Sequence, residues 1–281
     1  MKKLTEDVYV STEYPGVNVG FIVQPRGAIA IDAPTLPGDA EKWRQRVIGT
    51  AGGPILYVVL TDTHPDRLFS AWRLGAPIVA ARPAYDEALE YTAGFWRSAI
   101  DMWTRRYPEA AEELSREAIQ LPQIMFSKSV ILRKGGSDVR VERADGNAPG
   151  SAWIYLRDRE LLFTGDTLTV DAHPVMGATP DTKAWMDTLT TLRRPRYEGV
   201  TLIPGRGPVG DQSDTRPLSD YLALIRRRVR SLLRGEVTRS DKAAVVSELM
   251  EVFPVDEADK DFIQRRVKAS LDRALEELET E

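Results

Sequence analysis

Short apolar runs separated by tight turns fill this chain in two blocks, each interleaved with helical stretches, and that arrangement limits the folds open to it. In the first block "DVYVS", "GVNVGFIVQ" and "GAIAIDAP" are broken by Pro-Gly and Arg-Gly, which predicts a meander of strands. "PGDAEKWRQRVIGTAGG" then has the texture of a helix stopped by Gly52 and Gly53. "PILYVVLT" is a continuous buried strand, followed by a short helix around Asp66 to Leu74 and a further strand at "APIVAAR". A helical insertion at about 84–120 carries Tyr85, Tyr91, Phe95, Trp96, Trp103 and Tyr107, either as packing or as a substrate lid. In the second block strands resume at "KSVILRK", "SDVRVERA", "SAWIYLRD" and "ELLFTGD", with a helix over Thr182 to Leu192 and a last strand in "GVTLIPGRGPVG". Two strand-rich halves, each with helices, predict a pair of sheets packed together with helices outside.

Beyond about Gln212 the texture is helical only, which divides the chain into a main domain, 1–212, and an extension, 213–281. In the extension Ile263, Val267, Leu271 and Leu275 recur every four residues and mark one apolar stripe. That stripe either packs on the main domain or offers a surface to a partner, a second copy in a homodimer included. The net charge of −4 supplies no basic footprint for nucleic acid. No run approaches the roughly 18 apolar residues of a membrane span, so the expected setting is cytoplasmic with no membrane partner. The absence of cysteine removes thiolate metal sites and cysteine nucleophiles from consideration.

The chemistry-bearing stretches lie at strand ends. "TDTHPDRL" at 61–68 follows the strand "PILYVVLT"; "DGNAPGSAWIYL" at 145–156, "LLFTGDTL" at 161–168 and "LIPGRGPVG" at 202–210 follow in order, with "IDAP" at 31–34 upstream. In this order and spacing they resemble the metallo-β-lactamase-fold hydrolases over about residues 6–212. The resemblance implies an α/β fold, a four-layer αββα sandwich with a dinuclear metal centre at one edge of the paired sheets, here carrying an α-helical C-terminal extension. It also implies which positions held the ligands. Asp62 stands where the family's first motif has its first histidine, His64 and Asp66 match, and Arg67 replaces the last histidine of that motif. Asn147 replaces the histidine before "APGS", Asp166 matches the bridging aspartate, and Arg206 replaces the histidine between Gly205 and Gly207.

A guanidinium stays protonated and offers no lone pair, so the second metal's shell, which receives both arginines in the family's scheme, is lost. Asp66 and Asp166 would then be unpaired, and Arg67 and Arg206 are placed to neutralise them in an Arg–Asp network. For the first site Asp62, His64, Asn147 and Asp166 remain as candidate ligands, a mostly oxygen set that suits one divalent ion such as manganese, iron or zinc, or none. His173, in "DAHPVMG", is either a loop histidine or a substrate contact and proton shuttle.

The leading expectation is a member whose hydrolytic centre is lost, with Arg67, Arg206 and His173 as candidate contacts for a small anionic ligand. A second is a mononuclear hydrolase of an ester, thioester, lactone or phosphoester. There Asp66, Arg206 and His173 are the candidate catalytic residues, and Arg206 would stabilise an oxyanion. A third is a partner-binding protein that acts through its C-terminal helices.

Overall fold

The computed structural model describes residues 1–116, 119–235 and 241–281. The first sheet runs in sequence order through β1 (Lys2–Lys3), β2 (Val8–Ser11), β3 (Val19–Gln24), β4 (Gly27–Ile31), β5 (Ile55–Val59), β6 (Ile78–Ala81) and β7 (Ile124–Phe126). Its first four strands are antiparallel, and β4 to β7 are parallel because helices cross between them. The second sheet contains β8 (Ser129–Leu132), β9 (Val139–Arg143), β10 (Ala152–Leu156), β11 (Leu161–Thr169) and β12 (Thr201–Arg206), with β12 parallel to β11 at the edge.

Alternation along the strands sorts side chains into layers. In β3 and β4, Ile22, Ile29 and Ile31 face the second sheet, whereas Phe21, Ala28 and Ala30 face helix α1 (Pro37–Ala51) and its Trp43. In β11 and β12, Phe163 and Ile203 point into the space between the sheets, and Leu162 and Leu202 point out to the helical layer. The αββα sandwich expected from the family resemblance is therefore present. α1 ends where expected, with Gly52 at φ 65° closing it in the left-handed conformation.

Between β5 and β6 lies the short α2 (Pro65–Leu68). The aromatic-rich insertion folds as α3 (Arg82–Glu90), α4 (Ala93–Arg106) and α5 (Ala111–Ser115); residues 117–118 of the expected helical stretch lie outside those described. The strand β7, which no sequence signal marked, extends the first sheet beyond β6.

The outer layer on the second sheet combines α6 (Thr182–Leu192) with α7 (Thr215–Leu233), α8 (Asp241–Met250) and α9 (Lys260–Glu279). The C-terminal helices share one apolar cluster with that sheet, joining Trp185, Leu189 and Leu202 to Tyr221, Val229, Leu249, Val267 and Leu271. Of the expected stripe, Val267, Leu271 and Leu275 are buried and Ile263 is half-buried; Phe262, Ala274 and Leu278 complete the face. The buried Arg226 on α7 adds a polar tie, donating to Thr182 Oγ1 at 2.6 Å and to Glu277 Oε1 at 2.8 Å. Among the described residues no helix is long and apolar enough to cross a membrane.

Candidate functional site: a buried guanidinium–carboxylate cluster

The two sheets meet at one edge, where the carboxyl ends of β4, β5, β11 and β12 come together. Main-chain bonds stitch that edge, from Asn18 N to Gly205 O and from Ala152 N to Thr61 O, each 2.8 Å. Asp32, just past β4, has φ 54°, a left-handed conformation that aspartate tolerates when its side chain is bonded locally. Its carboxylate accepts from Thr61 N at 2.8 Å and Thr61 Oγ1 at 2.7 Å. After β5, Asp62 Oδ1 accepts from His64 N at 2.9 Å, which tightens the turn, and Pro65 starts α2 without a donor to waste. Asp66 and Arg67 then fall on the first turn of that helix.

Arg67 is wholly buried and threads between the carboxylates. Its Nε donates to Asp32 at 3.1 Å, its Nη1 to Asp62 at 3.3 Å and Asp166 at 3.2 Å, and its Nη2 to Asp166 at 2.7 Å. Arg206, at the end of β12, donates from Nε to Asp166 at 3.0 Å, from Nη2 to Asp66 at 2.8 Å, and from Nη1 to the Gly16 carbonyl. Every nitrogen of both guanidinium groups is thus bonded to protein. The fit requires glycine at 205, since a Cβ there would lie 2.1 Å from Asp166 Oδ1 and 2.5 Å from Arg67 Nη2.

The electrostatics follow the pairing. Burial opposes ionisation of Asp166, but Arg206 and Arg67 outweigh it and hold its carboxyl well below the usual range. Burial likewise opposes ionisation of Asp66, and His64 and Arg206 reverse the balance. Asp32 goes the other way: burial, against the pull of Arg67 and with Asp62 adding repulsion, raises it to about 6.

The positions that the family resemblance assigns to metal ligands can be checked one at a time. Asp62 is fully buried, with Oδ2 accepting from Asn147 Nδ2 at 2.9 Å, and Asn147 Oδ1 in turn accepts from Ser151 at 3.1 Å. His64 is the accessible member, with a fifth of its side chain exposed and Nδ1 3.5 Å from Asp66 Oδ2. Asp62, Asp66, Asn147 and Asp166 are drawn into one network with His64 beside Asp66, and Arg67 lies between Asp62 and Asp166, bonded to both. The sequence placed both arginines in the second metal's shell. In the structure Arg67 reaches into the first as well, because its guanidinium touches Asp62 and Asp166 together. The residues present do not fit a divalent ion at either position, and among the described residues no group of three or more His, Asp or Glu side chains is arranged to hold one.

The structure places the remaining candidate residues as follows. Arg67, expected as a ligand contact, has no exposed surface. Asp66, a candidate catalytic residue, is a poor base: its Oδ2 is bonded to Arg206 and its Oδ1 accepts from Trp103 Nε1 at 2.8 Å. His173 lies outside the cluster, with 2% exposure, edge-on to Tyr221 and Phe253 under the C-terminal helices.

Several neighbours of the cluster were not among the candidate site residues. Asp32 had a weak signal in "IDAP", a strand end ending in an acid. Trp103 on α4, whose indole N–H bonds Asp66, meets Phe262 on α9 edge-on at 5.6 Å, and Arg106 pairs with Asp259 beside them. Arg266, one turn beyond Phe262, lies within coulombic range of Asp66, Asp166 and Arg206. No local pattern marks those residues, because the insertion and the tail meet only in three dimensions.

A family model described as the metallo-beta-lactamase superfamily matches residues 14–206, a span that runs from before "IDAP" to Arg206 in the last strand-end motif. The chain belongs to the metallo-beta-lactamase superfamily. Its fold is similar to that of a metallo-beta-lactamase family protein from Thermus thermophilus, at 20% identity and TM-score 0.69, covering 99% of this chain and 95% of that one. It is also similar to a metallo-beta-lactamase from Pontibacter korlensis, at 22% identity and TM-score 0.59, over 79% of this chain and 97% of the other. An inverting sec-alkylsulfatase from Pseudomonas sp. aligns at 15% identity and TM-score 0.67 over 96% of this chain but only 49% of its own length. At these identities the likeness is one of fold. No curated protein matches the chain.

Proposed function

We propose that this chain is a non-hydrolytic member of its superfamily, in which an internal guanidinium–carboxylate cluster takes the structural place of the metal centre. One observation carries the reading: Arg67, with no exposed surface, bonds Asp32, Asp62 and Asp166 at once and so fills ground that both metals would need. The same bonds argue against an anionic ligand in the former pocket. A guanidinium that already serves carboxylates has no donor to spare, and the four aspartates outnumber the two arginines bonded to them. They also argue against a mononuclear hydrolase, since an ion would have to displace Arg67 and leave its charge buried without a partner. The insertion and the tail add support, because Trp103 takes the remaining Asp66 oxygen as its hydrogen-bond acceptor and Phe262 packs edge-on against that indole.

The test is elemental analysis of the full chain after gentle purification, followed by calorimetric titration with zinc, manganese and iron(II). The expected result is trace metal and no saturable heat. Near-stoichiometric metal that survives dialysis would overturn the proposal.

A further inference from the structure

The apolar stripe of α9 is spent on the main domain and is not free for a partner. A different apolar surface lies at the junction of α3 and α4. α3 turns Ala84 and Ala88 inward and α4 turns Ala99 and Trp103 inward, which leaves Leu89 and the first turn of α4 towards solvent. Leu89 is 54% exposed, the highest value for a large hydrophobic among the described residues, and Phe95 is 39% exposed. Phe95 is nevertheless held in place. Its N–H donates to the Thr92 hydroxyl at 3.1 Å, which caps α4, and its ring stacks on Tyr91 with centroids 4.1 Å apart and planes at 20°. Trp96 meets both rings edge-on, 5.3 Å from Tyr91 and 5.7 Å from Phe95.

A fixed aromatic and aliphatic patch of this kind suits an interface. Aromatic side chains dominate binding hot spots, and rings already in place lose little entropy on association. Charge beside the patch points to its occupant. Glu90 immediately precedes Tyr91, and Arg97 immediately follows Trp96. Both are exposed, and neither makes a side-chain hydrogen bond or ion pair among the described residues, whereas Arg82 and Asp86 on α3 lie 3.9 Å apart. The rings are thus flanked by two opposite charges that the chain itself leaves unpaired. In a two-fold interface residue i of one copy meets j of the other, and j meets i. An axis through the Tyr91–Phe95 stack brings Glu90 of each copy to Arg97 of the other, so the surface is complementary to itself.

We propose that the α3–α4 junction is a homodimer surface. Leu89, Tyr91 and Phe95 pack against the same residues of a second copy, and two reciprocal Glu90–Arg97 pairs form at the rim. The aromatic insertion then works in two directions: Trp103 faces inward to Asp66, and Phe95 faces outward to the second copy. A surface built on one helix junction lies at the small end of specific interfaces, so association is weak, in the micromolar range. The proposal is independent of whether the former centre binds metal.

Sedimentation velocity of the full-length protein at about 1–200 µM reads the association directly. The expected mass rises from one chain to two across that range, and Leu89→Glu and Phe95→Glu each hold it at one. Leu89 is more than half exposed, so Leu89→Glu keeps the test valid even if Phe95→Glu fails to fold. Reversing one charge, as Glu90→Arg or Arg97→Glu, sets like charges together twice and should weaken association about tenfold. The double variant Glu90→Arg/Arg97→Glu should recover it, because both pairs re-form with their signs exchanged. A wild-type chain that stays single throughout would give the patch to a different partner and overturn the proposal. A dimer that survives both Leu89→Glu and Phe95→Glu uses another face and would overturn it as well. A double reversal that recovers nothing lost in the single ones would refute the two-fold pairing.

Discussion

Replacing Arg67 by methionine keeps most of the side-chain volume and removes the guanidinium, leaving three buried carboxylates short of a partner. The loss can be bounded from both sides. Breaking one buried pair by removing a single partner costs about 3–5 kcal/mol. Each abandoned carboxylate can instead take up a proton, which at pH 7 costs about 4 kcal/mol for a group whose unfolded pKa is near 3.9, so no single aspartate can contribute much more. All three retain other donors: Asp32 keeps Thr61, Asp62 keeps Asn147 and the His64 N–H, and Asp166 keeps Arg206. A net loss of about 3–5 kcal/mol at pH 7 is therefore expected, a large part of the roughly 5–15 kcal/mol typical of a domain.

The pH dependence supplies a second check. In the wild type Asp166 is depressed, so its stabilisation is complete above its unfolded pKa and is lost only as pH falls below that value. In the variant the abandoned carboxylates have raised pKa values, so they penalise the fold more as pH rises. At pH 5 the protonation cost falls to about 1.5 kcal/mol per group, and the deficit should shrink. Urea denaturation of both proteins at pH 7 and pH 5, with m-values compared, reads this directly. A deficit below about 1 kcal/mol at pH 7, or one that grows on acidification, would refute the view that Arg67 neutralises the cluster.

Two further outcomes follow from the packing. Truncation after Gln212 removes the partners of Trp185, Leu189 and Leu202 in the outer layer, and the shortened chain should aggregate or bind a hydrophobic dye strongly; a soluble, equally stable product would make the tail dispensable. Burial, with Arg266 adding repulsion, lowers His173 to about 4, so its contribution is present above about 6.5, the unfolded value, and is lost as pH falls towards 4, whereas Asp32, raised to about 6, works in the opposite direction over much the same window. The two partly cancel in the wild type, and His173→Phe should therefore gain thermal stability relative to its own pH 7 value as pH falls from 6 to 4.5; an unchanged profile would contradict the neutral, buried state of His173.

Chemical identity at each ligand position was legible in the chain itself. The strands at "GFIVQ" and "GAIAI" were legible as apolar runs bounded by turns; the αββα order and the replacement of two histidines by arginine were legible only through the family resemblance, and a guanidinium's lack of a lone pair then holds in any context. The pairing of Arg67 and Arg206 with the aspartates could be foreseen on the same ground, since buried like charges need a counter-charge.

Direction and closure were decided only by the tertiary structure. A guanidinium sits at the end of a long side chain, and sequence position says which loop it leaves from but not which carboxylates it reaches. Arg67 could therefore turn from the shell the motif assigned it to span Asp32, Asp62 and Asp166. Trp103, Phe262 and Arg266 come from an insertion and a tail far apart in the chain, and nothing local specifies that α4 and α9 meet above Asp66. His173, near the motif in sequence, is carried away from the cluster because its loop turns under α7 and the segment after α8, where Tyr221 and Phe253 bury it. Residue types determine which interactions are permissible; long-range packing selects the partners, because contact free energies act between groups that only the folded chain brings within a few ångströms.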